Sequence, residues 1–265
     1  MTAGLFGRPA VLFLPANRAS AVARARESGA DLVILDLEDA VAPADKEVAR
    51  AAAVAAVAEP WPCPVAIRIN GVGSRWHVGD LEALRDVRCD LVVVPRVERR
   101  EAIEEVKVID HLPVAAMIET AKGVLAASDI ASRAAALIAG TNDLRASLRL
   151  PDGTNRAPLQ LALQTIVLAA RANGIPCFDG VFNKLDDPEG LAAEAAEGRA
   201  LGFDGKTLIH PGQIAAAKAA WTPTPQELAR AERLVAAASG GAQRFEGEMI
   251  ERMHVEAAER LLASR

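Results

Sequence analysis

Tyrosine is absent from this chain, and Phe and Trp together supply only nine aromatic rings, six of Phe and three of Trp. Nucleic-acid binders stack bases on aromatic rings and neutralise phosphates with a basic surplus. Here the formal net charge is −5, from 30 Lys and Arg against 35 Asp and Glu, so no nucleic-acid partner is expected. Cysteine is equally scarce. Cys63, Cys89 and Cys177 are far apart, odd in number and form no Cys-x-x-Cys pair. That excludes a disulfide framework and a thiolate metal site, and reads as reduced thiols in a cytoplasmic protein. No apolar run reaches the roughly 18 residues of a membrane span, so no membrane partner is expected. Residues 1–8 lack a basic region followed by a long apolar stretch, so no signal peptide is expected either. What remains is an ordinary globular balance, 51% hydrophobic and 25% charged. A chain of 265 residues suffices for one α/β barrel or two smaller domains.

Short runs rich in Val, Ile and Leu recur along the chain at residues 11–15, 32–38, 65–70, 91–97, 114–119, 135–141, 177–182 and 205–209. Most are near-continuous rather than alternating, the pattern of strands covered on both faces in a parallel sheet. Ala-rich amphipathic stretches lie between them. Residues 19–28, 45–58, 99–109, 121–132, 159–172, 188–201 and 212–219 predict helices. Asp45 is the expected N-cap of the second helix. Gly29, Gly174 and Gly202 stand where left-handed C-caps belong. Eight strands alternating with helices predict a (β/α)8 TIM barrel over residues 1–221. The rival, a doubly wound open sheet, normally has fewer units, and no Gly-x-Gly-x-x-Gly follows the first strand. Residues 145–158 predict an excursion above the sixth strand. After Thr222-Pro-Thr-Pro225 the character changes. Residues 222–265 predict a short, mostly helical C-terminal extension, too poor in apolar surface to fold alone. It is expected to pack on the barrel, on a neighbouring subunit, or on both.

Barrel enzymes place their chemistry at the C-terminal ends of the strands. Here those ends carry Asp36, Glu38 and Asp39, then Arg68 and Asn70, Arg96 and Glu98, Glu119, then Asn142 and Asp143, Asp179, and His210. Strand ends meet solvent and are often polar for that reason alone, but most of this set is ionisable and follows directly on an apolar run. Neighbouring strands lie about 4.8 Å apart, so Glu119 and Asp143 can converge on one point. Two carboxylates without His or Cys suit a hard cation, Mg²⁺ first and Mn²⁺ second. The alternative is an acid pair solvated at the rim or paired with Arg68 or Arg96. Arg68 can bind a carboxylate in a fork or stabilise an enolate oxygen, or serve as the charge partner of Asp36 or Glu38. Glu38 and Asp39 are further candidate acids. His77 reads equally well as a loop residue without chemistry, and His210, before Pro211, is expected to shape the eighth loop rather than act as a base, with its nearby backbone able to line the site.

These motifs resemble a known family. Val11-Leu-Phe-Leu-Pro-Ala-Asn-Arg18, the stretch Gly29-Ala-Asp-Leu-Val-Ile-Leu-Asp-Leu-Glu-Asp-Ala-Val-Ala-Pro-Ala-Asp-Lys46, Arg68-Ile-Asn-Gly71, Pro95-Arg-Val-Glu98, Ile118-Glu-Thr120, Gly140-Thr-Asn-Asp143 and Gly202-Phe-Asp-Gly-Lys-Thr-Leu-Ile-His-Pro211 are similar, in order, to the citrate lyase β subunit and its stand-alone relatives. Those are the malyl-CoA, citramalyl-CoA and other β-hydroxyacyl-CoA lyases of the HpcH/HpaI aldolase superfamily. The resemblance implies a TIM barrel, Mg²⁺ on Glu119 and Asp143, Arg68 as a substrate-binding and catalytic residue, and a CoA thioester cleaved to acetyl-CoA and a 2-oxo acid. It implies substrate contacts at Glu119, Gly140, Thr141 and Asn142. For CoA it implies Pro15, Arg18, Arg24, Lys46, Ile209 and His210. A homo-oligomer, trimer or hexamer, is implied as well.

Three departures stand out. Ala16 replaces the family's usual Gly in the Pro-Gly-Asn turn. The chain is shorter than the longer lyases. The tail Gly247-Glu-Met-Ile-Glu-Arg-Met-His254 carries Glu251 where the lyases have an aspartate that reaches a neighbour's active site and shuttles a proton. Malyl-CoA thioesterases of this group have similar tails, which keeps thioester hydrolysis open beside C–C cleavage. A citrate lyase β subunit acting on an acyl-carrier-protein thioester is a third possibility. The basic positions Arg18, Arg24 and Lys46 favour free CoA over that carrier.

Overall fold

The computed structural model describes residues 2–107, 109 and 112–263. Eight parallel strands form a closed barrel in chain order. They are β1 (Ala10–Pro15), β2 (Leu32–Asp36), β3 (Val65–Arg68), β4 (Leu91–Val94), β5 (Val114–Ile118), β6 (Ala136–Ala139), β7 (Cys177–Asp179) and β8 (Gly205–Leu208). β1 pairs with β2 on one side and with β8 on the other, which closes the cylinder. The helices are α1 (Ala19–Glu27), α2 (Lys46–Val57), α3 (His77–Leu84), α4 (Glu101–Val106), α5 (Ala121–Leu125), α6 (Ala127–Ala131), α7 (Thr141–Ser147), α8 (Gln160–Ala172), α9 (Pro188–Leu201) and α10 (Ile214–Trp221).

Side chains alternate between the two faces of a strand, so every second residue points into the barrel. Val11, Phe13, Leu32, Ile34, Ala66, Leu91, Val93, Ala115, Met117, Ala136, Ile138 and Phe178 form one buried cluster there. They fill the cylinder from below, as barrels of this type require. Each alternation continued by one step brings Asp36, Arg68, Glu119, Gly140 and Thr207 onto the same inward face, above the apolar plug. All five lie on one cavity.

The expected helix ends at Gly29, Gly174 and Gly202 all have positive φ, at 74°, 64° and 99°. Several expectations are corrected. The strands stop earlier than their apolar runs: the second at Asp36, the third at Arg68, the fourth at Val94, the seventh at Asp179. Their polar ends leave the ladder to build loops. Residues 121–132 are two helices, α5 and α6, interrupted at Ala126. Asp45 makes no side-chain cap; it ends a 3-10 turn that leads directly into α2. α3 and α7 are further helices that the sequence pattern does not predict.

Contacts divide the chain into one unit through Ala219 and a second from Ala220. The second unit comprises α11 (Pro225–Ala237), an antiparallel hairpin of β9 (Gln243–Phe245) and β10 (Glu248–Ile250), and α12 (Arg252–Ala263). Thr224 and Glu227 make a reciprocal capping box, so half of the expected linker is a helix start. Ala231, Leu234, Ile250 and Ala258 are buried in a small core of their own, with Phe245 and Val255 against them. Among the described residues no helix is long and apolar enough to cross a membrane.

Candidate functional site

Arg68 closes β3 and is 8% exposed. Its register partner on β2 is Asp36, 1% exposed. Nε and Nη2 of Arg68 donate to the two Asp36 oxygens, each at 2.6 Å. Asp36 also accepts from the backbone N–H groups of Glu38 and Ala40, both at 2.9 Å. Four donors therefore lock one carboxylate, and that carboxylate locks the guanidinium. Arg68 Nη1 points the other way, 3.0 Å from Glu38 Oε2 and 3.8 Å from Asp39 Oδ2. Phe13 and Met117, from the top of the plug, pack against the guanidinium. Burial pushes the Glu38 carboxyl up to about 7. The Arg68 charge opposes that shift, and Asp39 and Asp36 add to it.

Glu119 follows β5 and is 3% exposed. Its Oε1 accepts the backbone N–H of Arg96 at 2.6 Å. Burial pushes this carboxyl to about 7 as well, against the Arg96 hydrogen bond and with repulsion from Asp143. Gly140, at the end of β6, faces it: a Cβ there would overlap the Glu119 carboxylate. Glycine is needed here for space rather than for φ, which is −93°. Asp143 stands in the first turn of α7, with Oδ1 2.6 Å from Arg96 Nη1. Arg96 thus touches both acids, one through its backbone and one through its side chain. Its φ is +50°, in the left-handed region that a non-glycine residue rarely enters.

The cavity over this floor has a volume of about 340 Å³ and is lined by Glu119, Asp143, Arg68, Gly140, Thr141 and Asn142 among others. Pro15, Asp39 and Ile209 stand at its walls. Thr141 is packed beneath Gly180, which has no room for a side chain. Asn142 and Asn183 exchange side-chain amide hydrogen bonds at 3.3 and 2.6 Å. Among the described residues no group of three or more His, Cys, Asp or Glu converges on a metal position.

Other expected positions differ. Arg18 and Arg24 are exposed, Arg18 just before α1 and Arg24 within it. Lys46 is not a free cation but is 5% exposed, and its ammonium donates to Leu37 O at 2.8 Å and Glu38 O at 2.7 Å. It braces the acidic loop from behind, which corrects its reading as a phosphate contact. His210 accepts from Gly212 N–H at 3.0 Å and caps a 3-10 turn, the loop-shaping alternative. His77 is buried at the start of α3, with Nδ1 2.9 Å from Asn70 O. Glu251 is exposed just before α12, in the second unit, where its N–H donates to His254 Nδ1 at 2.9 Å. Asp179 does not face the cavity. Its register partner on β8 is Lys206, one residue from the inward-facing Thr207, so both point outward toward α9. The Asp36–Arg68 fork is the charge-partner alternative expected for Arg68. One residue of the site lies outside the set that the sequence pattern predicts: Asn183, opposite Asn142. Nothing local marks Asn183.

A family model described as HpcH/HpaI aldolase/citrate lyase matches residues 9–211. The chain belongs to this family. It is an enzyme family, and this member spans nearly the full length of its relatives. It is 38% identical over 264 residues to a (3S)-malyl-CoA thioesterase of Cereibacter sphaeroides (strain KD131 / KCTC 12085), covering 96% of this chain and 93% of that protein. It is 37% identical over 263 residues to a citrate lyase subunit beta-like protein of Mycobacterium tuberculosis (strain CDC 1551 / Oshkosh), covering 96% and 94%. Its fold matches the crystal structure of protein CitE from Mycobacterium tuberculosis in complex with magnesium, acetoacetate and coenzyme A. The TM-score is 0.87 at 36% identity, covering 100% of this chain and 99% of that one.

Proposed function

We propose that this family member is a magnesium-dependent β-hydroxyacyl-CoA lyase. Its substrate class is a malyl-, citramalyl- or citryl-type thioester, cleaved by retro-Claisen chemistry to a 2-oxo acid and acetyl-CoA. One observation carries the reading: a guanidinium locked by Asp36 shares a cavity with two acids that have few other partners. The residues fit a hard cation. Their donors are oxygens only, Glu119 is desolvated enough to hold its proton to about pH 7 without one, and Gly140 leaves its carboxylate room. Crystallised relatives carry magnesium together with acetoacetate or pyruvate. Magnesium on Glu119 and Asp143, or manganese in its place, would polarise the hydroxyl and carboxylate oxygens of the acyl group.

The protein's own residues supply the rest. The β-hydroxyl gives its proton to a carboxylate at the mouth, Glu38 or Asp39, as its oxygen becomes the carbonyl of the 2-oxo acid, and the electron pair of the broken C–C bond stays on the acetyl-CoA fragment as an enolate. Arg68 is already oriented and desolvated, so it meets that charge without reorganising. Gly140, Thr141 and Asn142 line the wall against the 2-oxo acid. Pro15 and Ile209 border the path of the thioester arm, with Arg18 and Arg24 as cations for the CoA phosphates. Glu251 of a neighbouring copy in a homo-oligomer, trimer or hexamer, returns the proton to the acetyl carbon.

A second reading, thioester hydrolysis, is favoured by the name of the Cereibacter relative. It uses the same acid pair and Arg68 against a water molecule. Malyl-, citramalyl- and citryl-CoA with Mg²⁺ separate the two. The lyase releases one 2-oxo acid per thioester consumed and no free thiol. The hydrolase releases free CoA thiol and no 2-oxo acid. Loss of none of the three thioesters overturns both.

A further inference from the structure

Arg96 is not among the residues given a role above, yet among the described residues it alone is bonded to both acids. Its N–H holds Glu119 Oε1 at 2.6 Å, and its Nη1 holds Asp143 Oδ1 at 2.6 Å. We infer that Arg96 is an internal counter-cation of this acid pair, and that its guanidinium and a divalent metal compete for Asp143. This rests on the metal reading of the site.

Three observations support it. Asp143 has no other ion pair among the described residues, so Arg96 is the only fixed charge neutralising it. The contact is a single hydrogen bond on a partly exposed pair, with the Arg96 side chain 55% exposed and Asp143 34%. Such a pair is weak and exchangeable, unlike the two-bond clamp of Arg68 on Asp36. The backbone N–H bond to the buried Glu119 holds residue 96 in its left-handed conformation, which aims the side chain back across the acid pair. A divalent ion between Glu119 and Asp143 meets a third positive charge while Arg96 remains. Like charges sharing one carboxylate repel, so loading the metal releases the guanidinium toward solvent.

The direction of the effect is unusual and therefore testable. Removing a residue that touches a metal site normally weakens metal binding. Here Arg96→Gln keeps the backbone N–H that Glu119 accepts and removes only the competing charge. Mn²⁺ serves as the probe, titrated by its electron paramagnetic resonance signal on the full chain without substrate. The variant is expected to bind Mn²⁺ about two- to fivefold more tightly than the wild type, the range that corresponds to an exposed ion pair. Equal or weaker binding overturns the inference. Arg96→Lys, which keeps a charge on a shorter arm, provides a second variant if the first does not fold, and its affinity should lie at or near that of the wild type. In wild-type protein labelled with ¹³C-arginine, Mg²⁺ should move the one guanidinium signal that Arg96→Lys removes. If that signal stays still, the guanidinium is not displaced and the inference fails. Absence of any Mn²⁺ binding by the wild type overturns the metal reading itself, and the inference with it. Normal binding with no gain in Arg96→Gln defeats the inference alone.

Discussion

Two buried arginines in this barrel are each forked onto a buried aspartate at a strand end, and they serve opposite ends. Arg68 binds Asp36 inside the cylinder, and Arg156 binds Asp179 outside it, at 3.0 and 2.5 Å. The outer cluster uses its charges on one another, although Arg156 and Glu194 border a neighbouring cavity. Lys206, fully buried, donates to Asp179 at 3.0 Å, to Gly180 O at 2.6 Å and to Glu194 at 2.7 Å. Gly198 of α9 lies against the Asp179 carboxylate. None of these side chains lines the cavity that holds Arg68 and Glu119, so the network fastens β7 and β8 to α9. The inner cluster has the same parts, but the Arg68 edge that faces Glu38 and Asp39 looks into the cavity. Three carboxylates surround that one guanidinium, and Glu38 is left with its pKa near 7. The outer pair is a strut because its charges are used on one another, whereas the inner pair keeps one guanidinium edge on the cavity that holds Glu119.

The contrast can be tested by breaking each cluster in turn. The largest effect is expected from Lys206→Met, which strips Asp179 and Glu194 of a fully buried partner. Loss of one member of such a network costs about 3 to 5 kcal/mol. Urea unfolding should show that loss, while kcat per folded molecule stays within about twofold; a large drop in kcat would place the outer cluster in the chemistry. Next is Arg68→Lys. The charge remains, but the two-bond fork to Asp36 is lost. Activity should fall by about 100-fold or more, as for loss of one oriented donor to a developing charge. The midpoint of urea unfolding should change far less than for Lys206→Met. If the two variants behave alike, inner and outer clusters do not differ in kind.

The smallest effect concerns pH. Burial lifts Glu119 from the ordinary 4.5 to about 7, so the folded chain holds this proton more tightly than the unfolded chain does. As pH rises from about 4.5 to about 7, stability is therefore lost, and above that the loss is complete. Glu119→Gln carries no such charge. In chelator, its stability relative to wild type should grow from pH 5 to pH 8 and exceed it by a few degrees in Tm, about 1 kcal/mol or more for a domain of this size. Parallel curves would mean that the wild-type carboxylate remains solvated.

Much of this architecture is legible in the order of residues. The apolar runs locate all eight strands, because a strand buried on both faces must be almost wholly apolar. The ionisable residues just beyond them locate Arg68, Glu119 and Asp143, because inward alternation carries past the end of the hydrogen-bonded ladder. Three features resist such a reading. Asp179 looks in sequence like another mouth acid, but faces outward by one step of the same alternation. Lys46 looks like a surface cation, but folds back onto the carbonyls of Leu37 and Glu38. Arg96 is legible as a partner of the acid pair, but carries no local sign that its backbone turns left-handed and that its own N–H holds Glu119.

By itself, then, the order of apolar and polar residues determined the parallel barrel, the end of it that carries charge, and the family to which the chain belongs. Burial in a strand leaves a pattern along the chain. Only the tertiary structure decided which charges face inward, which are spent on each other, and which remain available to a substrate. Those outcomes depend on partners dozens of residues away, such as Asp36 for Arg68 and Asp143 for Arg96, and no local pattern records a distance that folding alone creates.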